Sequence, residues 1–310
     1  MAKKSMRQSD NRKSIIHGVD DLIDTWLGFH DSNRYRKGTR IRKQKKAFFS
    51  IDRAAQDMSK NNGPFLPASP DALRNLYEKI EENWNTGDCH LPTAETWQIG
   101  KELKGGGHVR RQEVGLERFI VRTLGDAWTN QLPTCSGEGN RSIDLVHECG
   151  DGRFEFIELK YKDGRGSRPK FGSNNPLHAA WEIVRYGLLY MHARANNLLK
   201  NGSLAEASHI RLVVLAPSGY YEYGPQNRRK KYNFSWLEDV LNGFFQRFCD
   251  SRGYCVEFAF EMFDATFEQL YDPLNSPQSN VEEFRRVDLN CRAGVYQSKR
   301  EALAVRGNTA

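Results

Sequence analysis

The chain has 310 residues, with 46 Lys and Arg against 39 Asp and Glu, and a formal net charge of +7 at pH 7. No segment approaches the roughly 20 apolar residues that span a bilayer, and the basic N-terminus lacks the apolar core of a secretory signal. Six cysteines without a C-x-x-C pair disfavour a zinc ribbon or an iron–sulfur cluster. They fit reduced thiols in a cytoplasmic protein, and the basic excess suits a polyanionic partner.

The N-terminal third is predicted to be helical and basic. Apolar residues recur at helical spacing between residues 17 and 29, which predicts an amphipathic helix. Residues 34–53 then hold nine Lys or Arg residues interleaved with aromatic residues. This pattern suits phosphate contact and base stacking, although a solvated surface segment explains it equally well. The candidate nucleic-acid contacts in this stretch are Arg42, Lys43, Lys45 and Lys46.

The chain is predicted to divide into three parts. A second helix should begin at Ser69 and Pro70, an N-cap serine followed by a proline in the first turn. Three glycines end the irregular stretch before residue 108, and without a P-loop pattern around them they indicate a flexible joint. We therefore predict a helical, basic N-terminal module at residues 1–107, an α/β core at 108–272 and a polar C-terminal extension at 273–310.

The helix predicted at residues 110–128 carries an acid on its apolar side. At about 100° per residue, Glu117 falls within the apolar stripe, so its carboxylate should point towards the core. A carboxylate in such a place must be protonated, paired or bound to a metal. Glu113, one turn earlier, is the competing candidate, and it also fits an acid that complements the helix dipole. Residues 132–140 are predicted to be loop.

Residues 141–161 are predicted to form an antiparallel hairpin, because two alternating apolar runs flank a Gly-Asp-Gly turn centred on Asp151. Asp144 lies as far before Asp151 as Glu158 lies after it. The two acids should therefore face each other, with Cβ atoms roughly 5 Å apart. Lys160 shares their side of the sheet, since side chains alternate along a strand.

Two facing carboxylates beside an ammonium group favour a divalent-metal site. Mg²⁺ prefers oxygen ligands and retains exchangeable waters, and such an ion supports phosphodiester hydrolysis. Lys160 is placed to orient or deprotonate a water molecule. The alternative is a solvated hairpin whose Glu158 and Lys160 form a surface ion pair, worth ~0–1 kcal/mol. A second E-x-K match, at residues 102–104, lies beside the glycines rather than in a predicted strand, so strand context favours the metal site.

Ile143-Asp144, the intervening hairpin and Ile157-Glu158-Leu159-Lys160 together resemble the signature of the PD-(D/E)xK nuclease superfamily. The resemblance covers about residues 110–265, half of the chain, with Ile143 where a proline often stands. It implies a restriction-endonuclease-like α/β fold, in which helices flank a mixed sheet. It also implies hydrolysis of nucleic acid, DNA more often than RNA, with Mg²⁺ or Mn²⁺.

The same resemblance implies roles for individual residues. Glu117 lies in a Gly-x-Glu setting similar to the one on the family's helix before the hairpin. The implied metal ligands are Asp144, Glu158 and the carbonyl oxygen of Leu159, with Glu117 at an outer or second metal position. Lys160 would position the attacking water. Part of the superfamily carries Gln-x-x-x-Tyr on the next helix, which Glu182 to Tyr186 resembles with Glu in place of Gln, so Tyr186 is a further candidate contact to nucleic acid.

The rest of the chain completes the predicted core. The glycine-rich loop at residues 162–174 offers Arg165, Arg168 and Lys170 to a phosphate backbone, although a disordered surface loop fits as well. A helix should run from Asn175 to near Gly202. A strand at 209–217 should follow and pair in parallel with the hairpin strand that precedes the helix, through a right-handed crossover. A helix at 234–248 and a strand at 254–263 follow. Residues 282–310 are predicted to be a polar tail with at most one short helix.

The residue pattern and the resemblance together predict an Mg²⁺-dependent deoxyribonuclease, and they favour an endonuclease over an exonuclease. It would act as a homodimer or in a larger nucleoprotein complex, with no membrane partner. Two alternatives remain open. One is a non-catalytic nucleic-acid-binding protein with the same fold. The other is an unrelated α/β interaction protein, whose motif residues would be exposed and far from Glu117.

Overall fold

The structure is a computed structural model and describes residues 13–26, 55–60, 70–87, 89, 96–99, 112–134, 142–161, 175–223, 226–263 and 286–288. Its helices are α1 (Val19–Trp26), α2 (Pro70–Asn85), α3 (Gln112–Leu124), α4 (Pro176–Ala195), α5 (Gly202–Ala205) and α6 (Ser235–Cys249). Its strands are β1 (Trp128–Pro133), β2 (Ser142–Gly150), β3 (Arg153–Leu159), β4 (His209–Ala216), β5 (Glu222–Tyr223), β6 (Lys230–Lys231), β7 (Cys255–Phe263) and β8 (Arg286–Asp288). Residues 55–60 are also helical. None of the described helices is long and apolar enough to cross a membrane.

A mixed sheet forms the centre of the fold. Among the described strands its order is β1-β2-β3-β4-β7-β8. The first three strands form an antiparallel meander, β3, β4 and β7 run parallel, and β8 is antiparallel to β7. Parallel neighbours need long crossover connections, and α4 and α6 lie in these connections. The predicted α/β class, with a mixed sheet and flanking helices, is confirmed.

The two faces of the sheet have different coverings. On one face, Val146 and Phe156 pack in a large core together with α4, which is buried on nearly all sides. On the other face, Leu116 and Ile120 of α3 pack against strand residues such as Ile157. Apolar residues of α1 and α2 belong to the same large core as α4. The N-terminal helices therefore pack onto the α/β core and share its interior.

Four sequence expectations need correction. Helix α3 ends at Leu124 instead of Trp128, because Gly125 adopts a positive φ of 84° and ends the helix. Residues Trp128–Pro133 then form edge strand β1, which was not predicted. Helix α4 ends at Ala195, well before Gly202. The stretch expected to be a polar tail contributes β8, which pairs with β7.

Candidate metal centre

The hairpin has the predicted register along most of its length. Leu145 pairs with Ile157, and the same register continues to Glu148 and Phe154. It shifts only next to the turn, where the three residues centred on Asp151 have positive φ angles. This pairing places Asp144 and Glu158 in facing positions at the open end of the hairpin. The Asp144 carboxylate also accepts a hydrogen bond from the Leu159 N–H at 3.0 Å, so it lies against the end of β3.

Gln131 joins Glu117 to Asp144. Its side-chain Nε2 lies 2.9 Å from Oε2 of Glu117 and 3.4 Å from Oδ1 of Asp144. Asn130 approaches the same Glu117 oxygen at 3.5 Å. Glu117 is 2% exposed, which confirms that it faces inward from α3. Its carboxylate therefore lies one amide group away from that of Asp144.

Sequence reasoning missed Gln131 because β1 was not predicted. Thr129 and Asn130 are both buried although they are adjacent and polar, so this strand lacks the usual apolar alternation. Gln131 has a φ of 54°, which is unusual for a residue with a Cβ atom and often marks a functional site. The one available signal was Gly125, which could have indicated an earlier helix end.

Lys160 lies between two carboxylates. Its ammonium group pairs with Oε1 of Glu158 and lies 3.3 Å from Oε2 of Glu182. Lys160 is 8% exposed and Glu158 is 3% exposed, so this is a buried ion pair rather than a solvated one. His178 Nδ1 lies 3.3 Å from the same Glu182 oxygen. Helix α4 thus brings a further acid to the end of β3.

The acids Glu113, Glu117, Asp144, Glu158 and Glu182, together with Lys160, are called the acidic cluster below. Glu113 joins it by accepting a hydrogen bond from the Tyr161 N–H at 3.4 Å. Glu117 and Glu113 were the two candidate acids of helix α3. Glu117 contacts Asp144 through Gln131, whereas Glu113 contacts the backbone just after β3. Both therefore border the site.

Two buried tyrosines adjoin the acidic cluster. Burial raises the pKa of Tyr186, and Glu158 and Glu182 raise it further. Burial also raises the pKa of Tyr220 against the opposing effect of Lys160. Both hydroxyls therefore stay protonated and can act as donors. The Tyr220 hydroxyl has no hydrogen-bond partner within the described part of the chain.

The acids that face the centre of the cluster have raised pKa values. Burial raises the pKa of Asp144 to about 8, against the lowering effect of Lys160. Burial also raises the pKa of Glu117 to about 7, although hydrogen bonds from Gln131 and Asn130 oppose the shift. For Glu158, burial and the neighbouring Asp144 raise the pKa well above its usual value. Asp144 and Glu117 therefore hold protons near neutral pH, because burial desolvates their charges and other acids lie close by.

The ion pair of Lys160 and Glu182, on the α4 side of the cluster, has pKa shifts that favour the charged form of both groups. Burial would raise the pKa of Glu182, but Lys160 and His178 lower it well below its usual value. Burial would lower the pKa of Lys160, but Glu158 and Glu182 outweigh that effect and raise it. The Lys160 ammonium and the Glu182 carboxylate are therefore charged at neutral pH.

The chemistry of the acidic cluster fits a hard divalent cation. Carboxylates that hold protons because burial and neighbouring acids disfavour their ionised form gain when a cation replaces those protons. Asp144, Glu117 and Glu158 offer the oxygen ligands that Mg²⁺ and Mn²⁺ prefer. Leu159, expected to add its carbonyl oxygen, lies at the same place through its N–H contact with Asp144. Such an ion in this position would polarise a phosphate and activate water.

The other predicted contacts divide into two groups. Tyr186 is buried beside the acidic cluster. The basic candidates fall outside the described residues. They are Arg42, Lys43, Lys45, Lys46, Arg165, Arg168 and Lys170.

Comparison of the chain with protein-family models, with curated proteins and with solved structures found no match. Its function is therefore inferred from the geometry and electrostatics of the acidic cluster.

Proposed function

We propose that the protein is a metal-dependent nuclease of the restriction-endonuclease-like type. It hydrolyses phosphodiester bonds in DNA, in preference to RNA, and uses Mg²⁺ or Mn²⁺. The observation that carries the proposal is the meeting of Asp144, Glu117 and the Glu158–Lys160 pair at the ends of β2 and β3. The proposal includes internal cleavage of the strand and a cytoplasmic setting.

Each side chain of the acidic cluster has a part in this proposal. Asp144, Glu158 and Glu117 would hold the cation, with the Leu159 carbonyl as a further ligand. The cation would supply electrostatic activation of the phosphate and of the attacking water. Lys160 would orient that water as a hydrogen-bond donor, because its neighbours keep it charged. Glu182 is a positioning residue, since its carboxylate holds the Lys160 ammonium on the α4 side.

The charge distribution supports a polyanionic substrate. The whole chain is basic, with a net charge of +7, although the acidic cluster concentrates five acids around one lysine. The excess positive charge must therefore lie elsewhere on the chain. Arg165, Arg168 and Lys170 follow the end of β3 by six, nine and eleven positions in the sequence. Basic residues that follow an acidic strand end closely in the sequence suit phosphate contacts next to a scissile bond.

The proposal is tested by incubating the purified full chain with supercoiled plasmid, linear duplex DNA, single-stranded DNA and RNA. Each substrate is combined with Mg²⁺, Mn²⁺ or EDTA. We expect the plasmid to be nicked or linearised with either metal and to stay intact with EDTA. Cleavage of the closed circle also distinguishes an endonuclease from an exonuclease. Binding without cleavage of any substrate would indicate a non-catalytic nucleic-acid-binding protein instead.

Asp144→Asn should abolish cleavage and leave DNA affinity largely unchanged. The matched control is Asp151→Asn, which makes the same chemical change at the exposed turn of the same hairpin. Asn tolerates the positive φ of that position. Full activity of Asp144→Asn, or equal loss in both variants, would contradict the assignment of the site.

A further inference from the structure

A second group of ligating side chains lies at the turn end of the same hairpin. His147 pairs with Glu155 across β2 and β3, and Cys149 follows His147 by two residues. The Nδ1 atom of His147 lies 2.9 Å from Oε2 of Glu155 and 3.4 Å from Sγ of Cys149. The three donor atoms all lie within 4.8 Å of one another. We propose that His147, Cys149 and Glu155 bind a thiophilic divalent cation, and that this cation is Zn²⁺.

This site is separate from the acidic cluster. Side chains alternate between the two faces of a strand. His147 lies three positions after Asp144, and Glu155 lies three positions before Glu158. His147 and Glu155 therefore lie on the opposite face of the sheet from the facing acids. The two sites share the hairpin but no ligand.

The donor set selects against the cations proposed for the acidic cluster. Imidazole, thiolate and carboxylate are the ligand types of zinc, whereas Mg²⁺ takes oxygen ligands. Zinc bonds of about 2.0–2.3 Å in tetrahedral geometry place neighbouring donor atoms roughly 3.3–3.6 Å apart. The observed 2.9 and 3.4 Å separations need only small adjustments to reach those values. The fourth position would be taken by water.

Neighbouring side chains already hold two of the three ligands in place. The His147 ring stacks on Trp128, with centroids 4.1 Å apart and planes 9° from parallel. Arg211 lies 3.4 Å from Oε1 of Glu155, so the other oxygen is the one that faces His147. Outer partners of this kind orient metal ligands and keep their donor atoms available.

Cys149 is the adjustable third ligand. It is exposed and lies where the register between β2 and β3 shifts next to the turn. A strand is less constrained at such an irregularity, so the thiol can move towards the other two donors. On binding, the thiol loses its proton to solvent and the thiolate becomes the ligand. The cation would then link β2 to β3 at the turn end of the hairpin. Asp144 and Glu158 lie at its other end.

Cobalt(II) is the probe for this site, because a Co²⁺–thiolate bond gives a near-ultraviolet charge-transfer band. The titration uses the full chain in excess Mg²⁺ and, separately, the Asp144→Asn variant, so that the acidic cluster does not contribute. We expect a band that saturates at one equivalent in both proteins and disappears when Zn²⁺ is added. Cys149→Ser should lose the band. His147→Ala should weaken binding by more than about a hundredfold, beyond the usual cost of losing an outer partner.

The matched control is Cys255→Ser, which changes another exposed cysteine and should keep the band. Circular dichroism checks folding, and the conservative change at exposed Cys149 should preserve it. Zn²⁺ should raise the melting temperature of the wild-type chain but not that of Cys149→Ser. No thiolate band in the wild type, an unchanged band in Cys149→Ser, or equal stabilisation of both by Zn²⁺ would overturn the proposal. Loss of nuclease activity leaves these readouts unaffected, so the two proposals fail separately.

Discussion

Affinity for Mg²⁺ or Mn²⁺ should rise steeply as the pH is raised from 6 to 8. The pKa of Asp144 is raised to about 8 and that of Glu117 to about 7 by burial in the acidic cluster. A cation binds the ionised carboxylates, so it must displace the protons that these acids hold. Metal binding at this site would therefore be coupled to proton release.

The size of the effect follows from these two pKa values. Each pH unit below a pKa reduces the ionised fraction ~tenfold, so between about pH 7 and 8 Asp144 alone changes the affinity ~tenfold. Between about pH 6 and 7 Glu117 is protonated as well, and the change becomes ~hundredfold per unit.

Isothermal titration calorimetry with Mn²⁺ measures both quantities. Titrations in two buffers of different ionisation enthalpy give the dissociation constant and the number of protons released at each pH. Glu117→Gln should remove the steeper part below about pH 7, because the amide carries no proton to displace. Asp151→Asn should behave as the wild type does. An affinity that changes by less than about threefold from pH 6 to 8, without proton release, would refute this account of the acidic cluster.

Three further predictions concern stability. The folded-state pKa of Asp144 is raised above its usual 3.8, so the folded chain binds the extra proton and loses stability as pH rises between about 4 and 8. Asp144→Asn removes this ionisable group, so in EDTA at pH 8 it should increase the free energy of unfolding by about 1–3 kcal/mol. Urea titrations measure this quantity, and a decrease would contradict the raised pKa of Asp144. Tyr220→Phe should be neutral or stabilising by up to about 1 kcal/mol, since it removes a buried hydroxyl that has no partner among the described residues; a clear loss of melting temperature would show that the hydroxyl is bonded. A Cβ atom on Gly187 would lie 2.5 Å from Leu212 Cδ1, so Gly187→Ala should lower the free energy of unfolding by about 1–3 kcal/mol. The control Gly243→Ala, on α6, should be tolerated. Equal effects of the two changes in thermal melts would exclude close packing of α4 on β4.

The hairpin could be predicted because the sequence pattern that specifies it lies within one short segment. The turn at Asp151 sets the register, and the alternation of side chains then places Asp144, Glu158 and Lys160 on one face. Burial of Glu117 could also be predicted, because helical periodicity alone places it in the apolar stripe. Each of these features depends only on residues close together in the sequence.

The features that could not be predicted from the sequence depend on tertiary packing. Gln131 could not be assigned because its strand has polar residues at buried positions, where Thr129 and Asn130 replace the expected apolar pattern. The contact between Glu182 and Lys160 exists because α4 crosses the end of β3, which no local spacing indicates. Strand β8 has only three residues, too few for a periodic pattern to stand out. Polar side chains that are buried by tertiary contacts look like surface residues in the sequence.

The electrostatics of Lys160 decide which role it can have in the proposed reaction. Burial by itself would lower the pKa of its ammonium and turn it towards a general base. Glu158 and Glu182 flank the ammonium, however, and their charges outweigh burial, so the pKa is raised. An ammonium that keeps its proton at neutral pH can donate hydrogen bonds to a water molecule or a phosphate oxygen, but it cannot accept a proton from either. In the proposed reaction, Lys160 would therefore act by orientation and charge, and Glu182 would contribute by keeping it protonated.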